Sequence, residues 1–184
     1  MPFLKSLPED AGPPHLFKRY PQIYRPWAEM SEALMNGECS LTPGQRELLL
    51  AYAAGVCGCT FVYHAHAEVA YAHGIEPGLL EALLEDPHSA PVVPELAVLL
   101  AYVGKLSLAP DTIVQADVDA VLAAGWDEQA LHAAIVISGR AALMQRLVQG
   151  LGFTPLSREV YADHARRRVE RGYVQLYPQF REPS

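Results

Sequence analysis

Cysteine is scarce in this chain of 184 residues: there are three. That number is odd, and too small for a secreted domain stapled by disulfides. Aromatic residues are also few, at 9%, so any core must be built largely from Ala, Leu and Val. Charge is thin at 19% and leans acidic, with 14 Lys+Arg against 21 Asp+Glu and a net charge of −7. Such a balance argues against a general binder of nucleic acid or of anionic membranes. Long apolar runs are missing too, since no segment reaches the roughly 18 consecutive apolar residues of a membrane helix. The opening Met-Pro-Phe-Leu-Lys-Ser-Leu-Pro-Glu-Asp is broken by Pro8 and two acids before any apolar core of signal-peptide length develops. A cytoplasmic protein in a reducing compartment is the expectation, with neither nucleic acid nor membrane as partner.

What the chain does have is apolar bulk. Hydrophobic residues make up 51% and the mean hydropathy is +0.07, enough for a large core and too much for a disordered chain. Ala and Leu are good helix formers and weak strand formers, so composition leans all-α. Prolines and glycines divide the chain into helix-length pieces. Residues 1–14, with four prolines, read as an N-terminal arm. Helices are expected over 21–35 (with Pro26 delaying or kinking it), 42–55, 60–73, 76–84, 95–106, 116–124, 127–149 and 156–170. Thr42 followed by Pro43 is an N-cap with proline at the first helical position. Asp127 caps the longest helix, which is apolar on nearly every face and therefore buried in its own subunit or against a neighbour. Arg166, Arg167, Arg168 and Arg171 read as a solvated helix end, well placed for the helix dipole. The expectation is one all-α helical bundle of about seven to eight helices, with an arm at 1–14, a domain at 15–170 and a tail at 171–184.

Reactive residue types crowd into 47–73. Cys59 is expected at the N-terminus of the helix over 60–73, where unpaired N–H groups favour a thiolate. His66 follows seven residues later, about 20° round the same helix face. Glu47, on the preceding helix, can fold back to reach His66. A carboxylate, an imidazole and a thiol so arranged would make a proton relay, with His66 taking the thiol proton and Glu47 orienting the ring. Cys57 is a possible second thiol, and Tyr63 and His64 are possible auxiliaries. The bland alternative is a buried cysteine filling space and a histidine bonded to backbone. Cys57, Cys59, His64 and His66 are rich in zinc-ligand types, but the two histidines fall about 200° apart on a helix and point to opposite sides. No metal and no cofactor are expected.

These residues resemble a known family. Arg46-Glu47-Leu48-Leu49, Gly58-Cys59 and Ala65-His66 are similar to the alkylhydroperoxidase-D / carboxymuconolactone decarboxylase family, whose form here is E-x₁₁-C-x-x-C-x-x-x-H. Leu99-Leu100-Ala101-Tyr102, Lys105-Leu106, Ala116-Asp117-Val118, Ala124-Gly125-Trp126 and Gly150-Leu151-Gly152 resemble its peroxidase-related branch. The resemblance covers about residues 15–156. It implies an antioxidant protein of peroxiredoxin-type activity, with Glu47, Cys59 and His66 as catalytic residues. Its substrates would be a small hydroperoxide and a thiol reductant. It also implies a homo-oligomer, commonly a dimer, trimer or hexamer. The departure is Val62, which stands where the family holds its second cysteine. That thiol is the one held to attack the peroxide, with the first cysteine resolving the sulfenic acid. Three readings therefore stand. One is an atypical hydroperoxide reductase using Cys59. The second is a lyase or isomerase using His66 and Glu47 on a small carboxylated or lactone substrate. The third is a non-catalytic helical oligomer.

Overall fold

A computed structural model describes residues 2–87 and 90–181. Met1 of the expected arm and residues 182–184 of the expected tail lie outside the described residues. Nine α-helices are present among these residues: α1 (Pro13–Arg19), α2 (Pro21–Asn36), α3 (Pro43–Val56), α4 (Thr60–Ala72), α5 (Leu79–Glu85), α6 (Pro94–Leu108), α7 (Gln115–Ala123), α8 (Glu128–Gly150) and α9 (Arg158–Arg171). Two 3₁₀ turns, Pro110–Thr112 and Pro178–Phe180, complete the set, and no strand occurs among the described residues. The all-α expectation holds. The helix beyond the expected eight is α1, inside a segment read partly as arm.

At the centre runs α3. Its start follows from the sequence: Thr42 Oγ1 accepts from Gln45 N at 3.2 Å while Gln45 Oε1 accepts from Thr42 N at 2.9 Å, with Pro43 at the first helical position. Every residue from Arg46 to Ala54 is buried, as befits a helix covered on all sides. α4, α8, α6, α5 and α2 surround it. The reversal into α4 uses Gly58 at φ 70°, with Gly58 N and Cys59 N donating to Gly55 O and Ala54 O, both at 2.9 Å. At the far end Gly44 lets the antiparallel pair close, because a Cβ there would sit 3.2 Å from His73 Cβ. Glu47 thus faces α4 across a tight hairpin.

α8 opens as expected, Asp127 Oδ1 accepting from Ala130 N at 2.6 Å. One side, including Ala134, Ile137, Arg140, Ala141 and Val148, is buried. On the opposite side Ile135 and Leu143 are exposed. Both flanking segments return to the body. Phe3 N donates to Leu151 O at 2.9 Å. At the other end Tyr177 and Phe180 meet Phe17 of α1, with ring centroids 4.9 and 6.2 Å apart, beside Tyr24 and Trp27 of α2. The described part of the tail therefore lies on its own chain.

Candidate active site

Across the α3–α4 hairpin, His66 Nδ1 and Glu47 Oε2 lie 2.6 Å apart, with the residues only 5% and 2% exposed. The other carboxylate oxygen, Oε1, accepts from the Tyr173 hydroxyl, brought in from beyond α9. Burial by itself would raise the Glu47 pKa. His66, Arg168 and the Tyr173 hydroxyl outweigh it and hold the carboxyl at about 2. His66 moves the other way: burial, assisted by Arg140 and Arg168, lowers it to about 4 against the pull of Glu47. At neutral pH the pair is a carboxylate and a neutral imidazole. Nδ1–H is donated to Glu47, and Nε2 is the basic nitrogen.

His66 lines a cavity of about 60 Å³ together with Phe61, Val62 and Ala65 of α4, Trp27, Arg140, Met144, Arg168 and the tail tyrosines Tyr173 and Tyr177. Arg140 is 4% exposed. Its guanidinium lies between the Trp27 and Tyr173 rings, 4.7 and 4.8 Å from their centroids, and its Nε donates to Ser31 Oγ at 3.0 Å. Arg168 covers the Tyr173 ring at 5.0 Å and bonds Tyr177. This corrects the reading of the arginine run: Arg166 and Arg171 are exposed, but Arg168 turns inward because it shares a helix face with the buried Tyr161 and Ala165.

The thiols sit elsewhere. Cys59 is the N-cap of α4 and 2% exposed, yet it is not among the residues lining the His66 cavity. Burial raises its pKa, although the backbone N–H groups of Val62 and Phe61 bond the sulfur and pull the other way. Cys57 is half-buried and donates to Ser107 O at 3.4 Å, lining a separate cavity of about 290 Å³ with Arg146. Its pKa is raised by burial, against the pull of Arg146. Tyr63 bonds Glu81 and Tyr71 on another side of α4, and burial with Glu81 pushes its pKa up to about 12. His64 is exposed, its ring near those of Tyr63 and Tyr161. Glu47 and His66 are thus brought together, whereas Cys57, Tyr63 and His64 point away from them. Among the described residues, no group of three or more His, Cys, Asp or Glu is placed to hold a metal ion.

No protein-family model matches the chain, and no curated protein does. Solved structures do match. A peroxidase-related protein from Ralstonia eutropha JMP134, described as an alkylhydroperoxidase AhpD core, superposes with a TM-score of 0.72 at 19% identity, over 80% of this chain and 76% of that one. The fold is that of alkylhydroperoxidase D. A peroxidase-related protein from Silicibacter sp. TM1040 gives a TM-score of 0.72 at 21% identity, over 80% and 78% of the two chains. A protein of unknown function from Agrobacterium tumefaciens, for which a role as the antioxidant defence protein AhpD has been suggested, gives 0.67 at 16%, over 77% and 96%. At such identities the likeness is one of fold. On this scaffold Val62 lines the cavity, so that part of its wall is aliphatic.

Sequence reasoning missed Arg140, Arg168 and Tyr173. Two of them had a signal. Arg140 is a charge set in a stripe of apolar residues on α8, and Arg168 follows Tyr161 and Ala165 at spacings of seven and three. Tyr173 had none, because its partner is 126 positions away.

Proposed function

We propose that this alkylhydroperoxidase-D-like chain is an enzyme that moves a proton at a small substrate. In this reading His66 is the acid–base and Glu47 fixes its tautomer. The observation that carries the reading is the 2.6 Å His66–Glu47 bond on the wall of a small cavity. Nε2 takes a proton from the substrate, and the nearby carboxylate stabilises the imidazolium that forms. The same nitrogen then returns the proton to another atom of the substrate or to its leaving group, as in an isomerase or lyase. The test is exchange of substrate C–H for deuterium in D₂O, followed by NMR over a panel of lactones and ketones. Wild type should exchange at least one of them and His66→Gln none. Equal exchange by both proteins would refute the reading.

A second reading keeps the thiol, and the N–H groups of Phe61 and Val62 on the Cys59 sulfur favour it. The Cys59 thiolate would attack the peroxide oxygen, releasing an alcohol and leaving a sulfenic acid. Cys57 or an external thiol would then condense with it to a disulfide and water. Consumption of cumene hydroperoxide with a dithiol, abolished by Cys59→Ser, is its expected signature. The proposal also includes a homo-oligomer, supported by the exposed Ile135 and Leu143 on the outer side of α8.

A further inference from the structure

The cavity beside His66 carries an unbalanced charge. Of the described residues lining it, the only ones charged at neutral pH are Arg140 and Arg168, and both are cations. Glu47 lies behind His66, where His66 and Tyr173 already occupy its two oxygens. Two cations thus line the cavity, and the nearby Glu47 carboxylate is spoken for.

The hydrogen bonding is unbalanced as well. Arg140 is 4% exposed, and its Nη1 is buried with no hydrogen-bond partner among the described residues. Arg168 Nε is in the same condition. A buried guanidinium N–H without an acceptor costs the full desolvation of that group. Stacking on Trp27 and Tyr173 holds the Arg140 plane but supplies no acceptor to Nη1. The two guanidinium groups also repel one another. An acceptor bearing one negative charge would satisfy the free N–H groups and relieve the repulsion.

Beside this cavity lies a larger one of about 490 Å³, which shares Pro13, Phe61, Ala65, Arg168 and Tyr177 with it. Its remaining wall combines an apolar stretch of Val69, Leu156, Val160, Tyr161 and Leu176 with Asp10, His15, His164 and Arg167. A charged head at the arginines therefore has room beside it for an apolar body.

We propose that Arg140 and Arg168 form a carboxylate-binding subsite, and that the ligand of this chain is an organic acid whose apolar part lies along Phe61 and Ala65 into the larger cavity. Planar carboxylates match the forked guanidinium donors, and the apolar wall rejects a free inorganic anion as the preferred occupant. The inference names the ligand class for the proton-transfer site proposed above, and binding is measured apart from turnover. A carboxylate bound here also offsets the two cations that depress the His66 pKa, so loading the subsite makes His66 a better base.

The test is titration calorimetry of the full chain at pH 7 and fixed ionic strength, with hexanoate, hexanamide and acetate as probes. Hexanoate is expected to bind at least about tenfold more tightly than the neutral amide and than acetate, the first difference reporting the charge and the second the apolar body. Arg168→Met should weaken hexanoate about tenfold or more. Arg140→Met should do the same, and a circular-dichroism melt shows whether it folds. If it does not, Arg168→Met carries the test. Binding is read by calorimetry and proton transfer by deuterium exchange, so that failed proton transfer and failed binding are told apart. Equal affinity for hexanoate and hexanamide, no binding of hexanoate up to about 10 mM, or an affinity untouched by Arg168→Met would each overturn the proposal.

Discussion

A carboxylate as deeply buried as Glu47 stays ionised only because donors meet both of its oxygens, His66 on one and Tyr173 on the other. Tyr173→Phe deletes one donor and leaves the aromatic ring to pack as before. Thermal and urea denaturation should show a loss of about 1–3 kcal/mol, the penalty for an unmet buried acceptor. The Glu47 pKa should rise in the same variant. The pair also sets how stability depends on pH. His66 is held at about 4 in the folded chain, below its ordinary 6.5, so the unfolded chain binds its proton first. Stability is therefore complete above about pH 6.5 and falls as the pH drops from there toward 4. Glu47, lowered from 4.5 to about 2, adds a second loss as the pH falls below 4.5. Melting temperatures between about pH 7 and pH 5 should decline in wild type and stay flatter in His66→Gln. A wild-type curve as flat as the variant's would mean that the dyad does not hold these protonation states.

At the scale of the helix, α4 puts Phe61, Val62, Ala65 and His66 on one cavity while Cys59, its N-cap, remains outside the lining. A Val62→Cys change would place a thiol on the cavity wall four positions before His66, one helical turn away and in reach of it. It would also create a C-x-x-C pair with Cys59. Hydroperoxide consumption with a dithiol reductant should rise at least about tenfold over wild type, within what a positioned acid–base contributes. No gain would mean that the cavity does not admit a peroxide. Helix starts were largely legible in the sequence because their chemistry is local: Thr42 and Asp127 cap where a short polar side chain before an apolar run must cap. α1 was not legible. Its prolines, Pro13 and Pro14, read as breakers, yet in a first turn the missing N–H has no intrahelical partner to lose. The Glu47–His66 contact was readable from a helix, a glycine reversal and a second helix. Arg168 read as part of a solvated helix end, and Arg140 drew no notice, because the signs that they turn inward lie in the helix faces they share with buried residues.

At the scale of the whole molecule, the cavity is closed by segments that lie far apart in the chain. Pro13 and Phe17 come from α1, while Arg168 comes from the end of α9 and Tyr173 and Tyr177 from the segment beyond it. The turn that brings Tyr173 inward is Gly172, at φ 67°, where an added Cβ would collide with the Glu32 carboxylate that bonds Tyr173 N. Gly172→Ala should lower the melting temperature and any activity together, through strain in the left-handed region and a displaced Tyr173. Truncation after Arg171 should act more strongly, removing the Glu47 donor and the Tyr177 and Phe180 rings. Calorimetric melts and binding of a hydrophobic dye would register the opened core, and an unchanged melt would show that the tail contributes nothing. This closure has a temporal side as well. Synthesis runs from the N-terminus, so the α3–α4 hairpin that carries Glu47 and His66 is made well before the groups that enclose it. Tyr173 is added 126 positions after Glu47. Until it emerges, Glu47 lacks its second donor, and the hollow has only just gained its Arg168 wall. A half-made chain can have the scaffold but cannot have the fully bonded Glu47–His66 pair until Tyr173 has folded back.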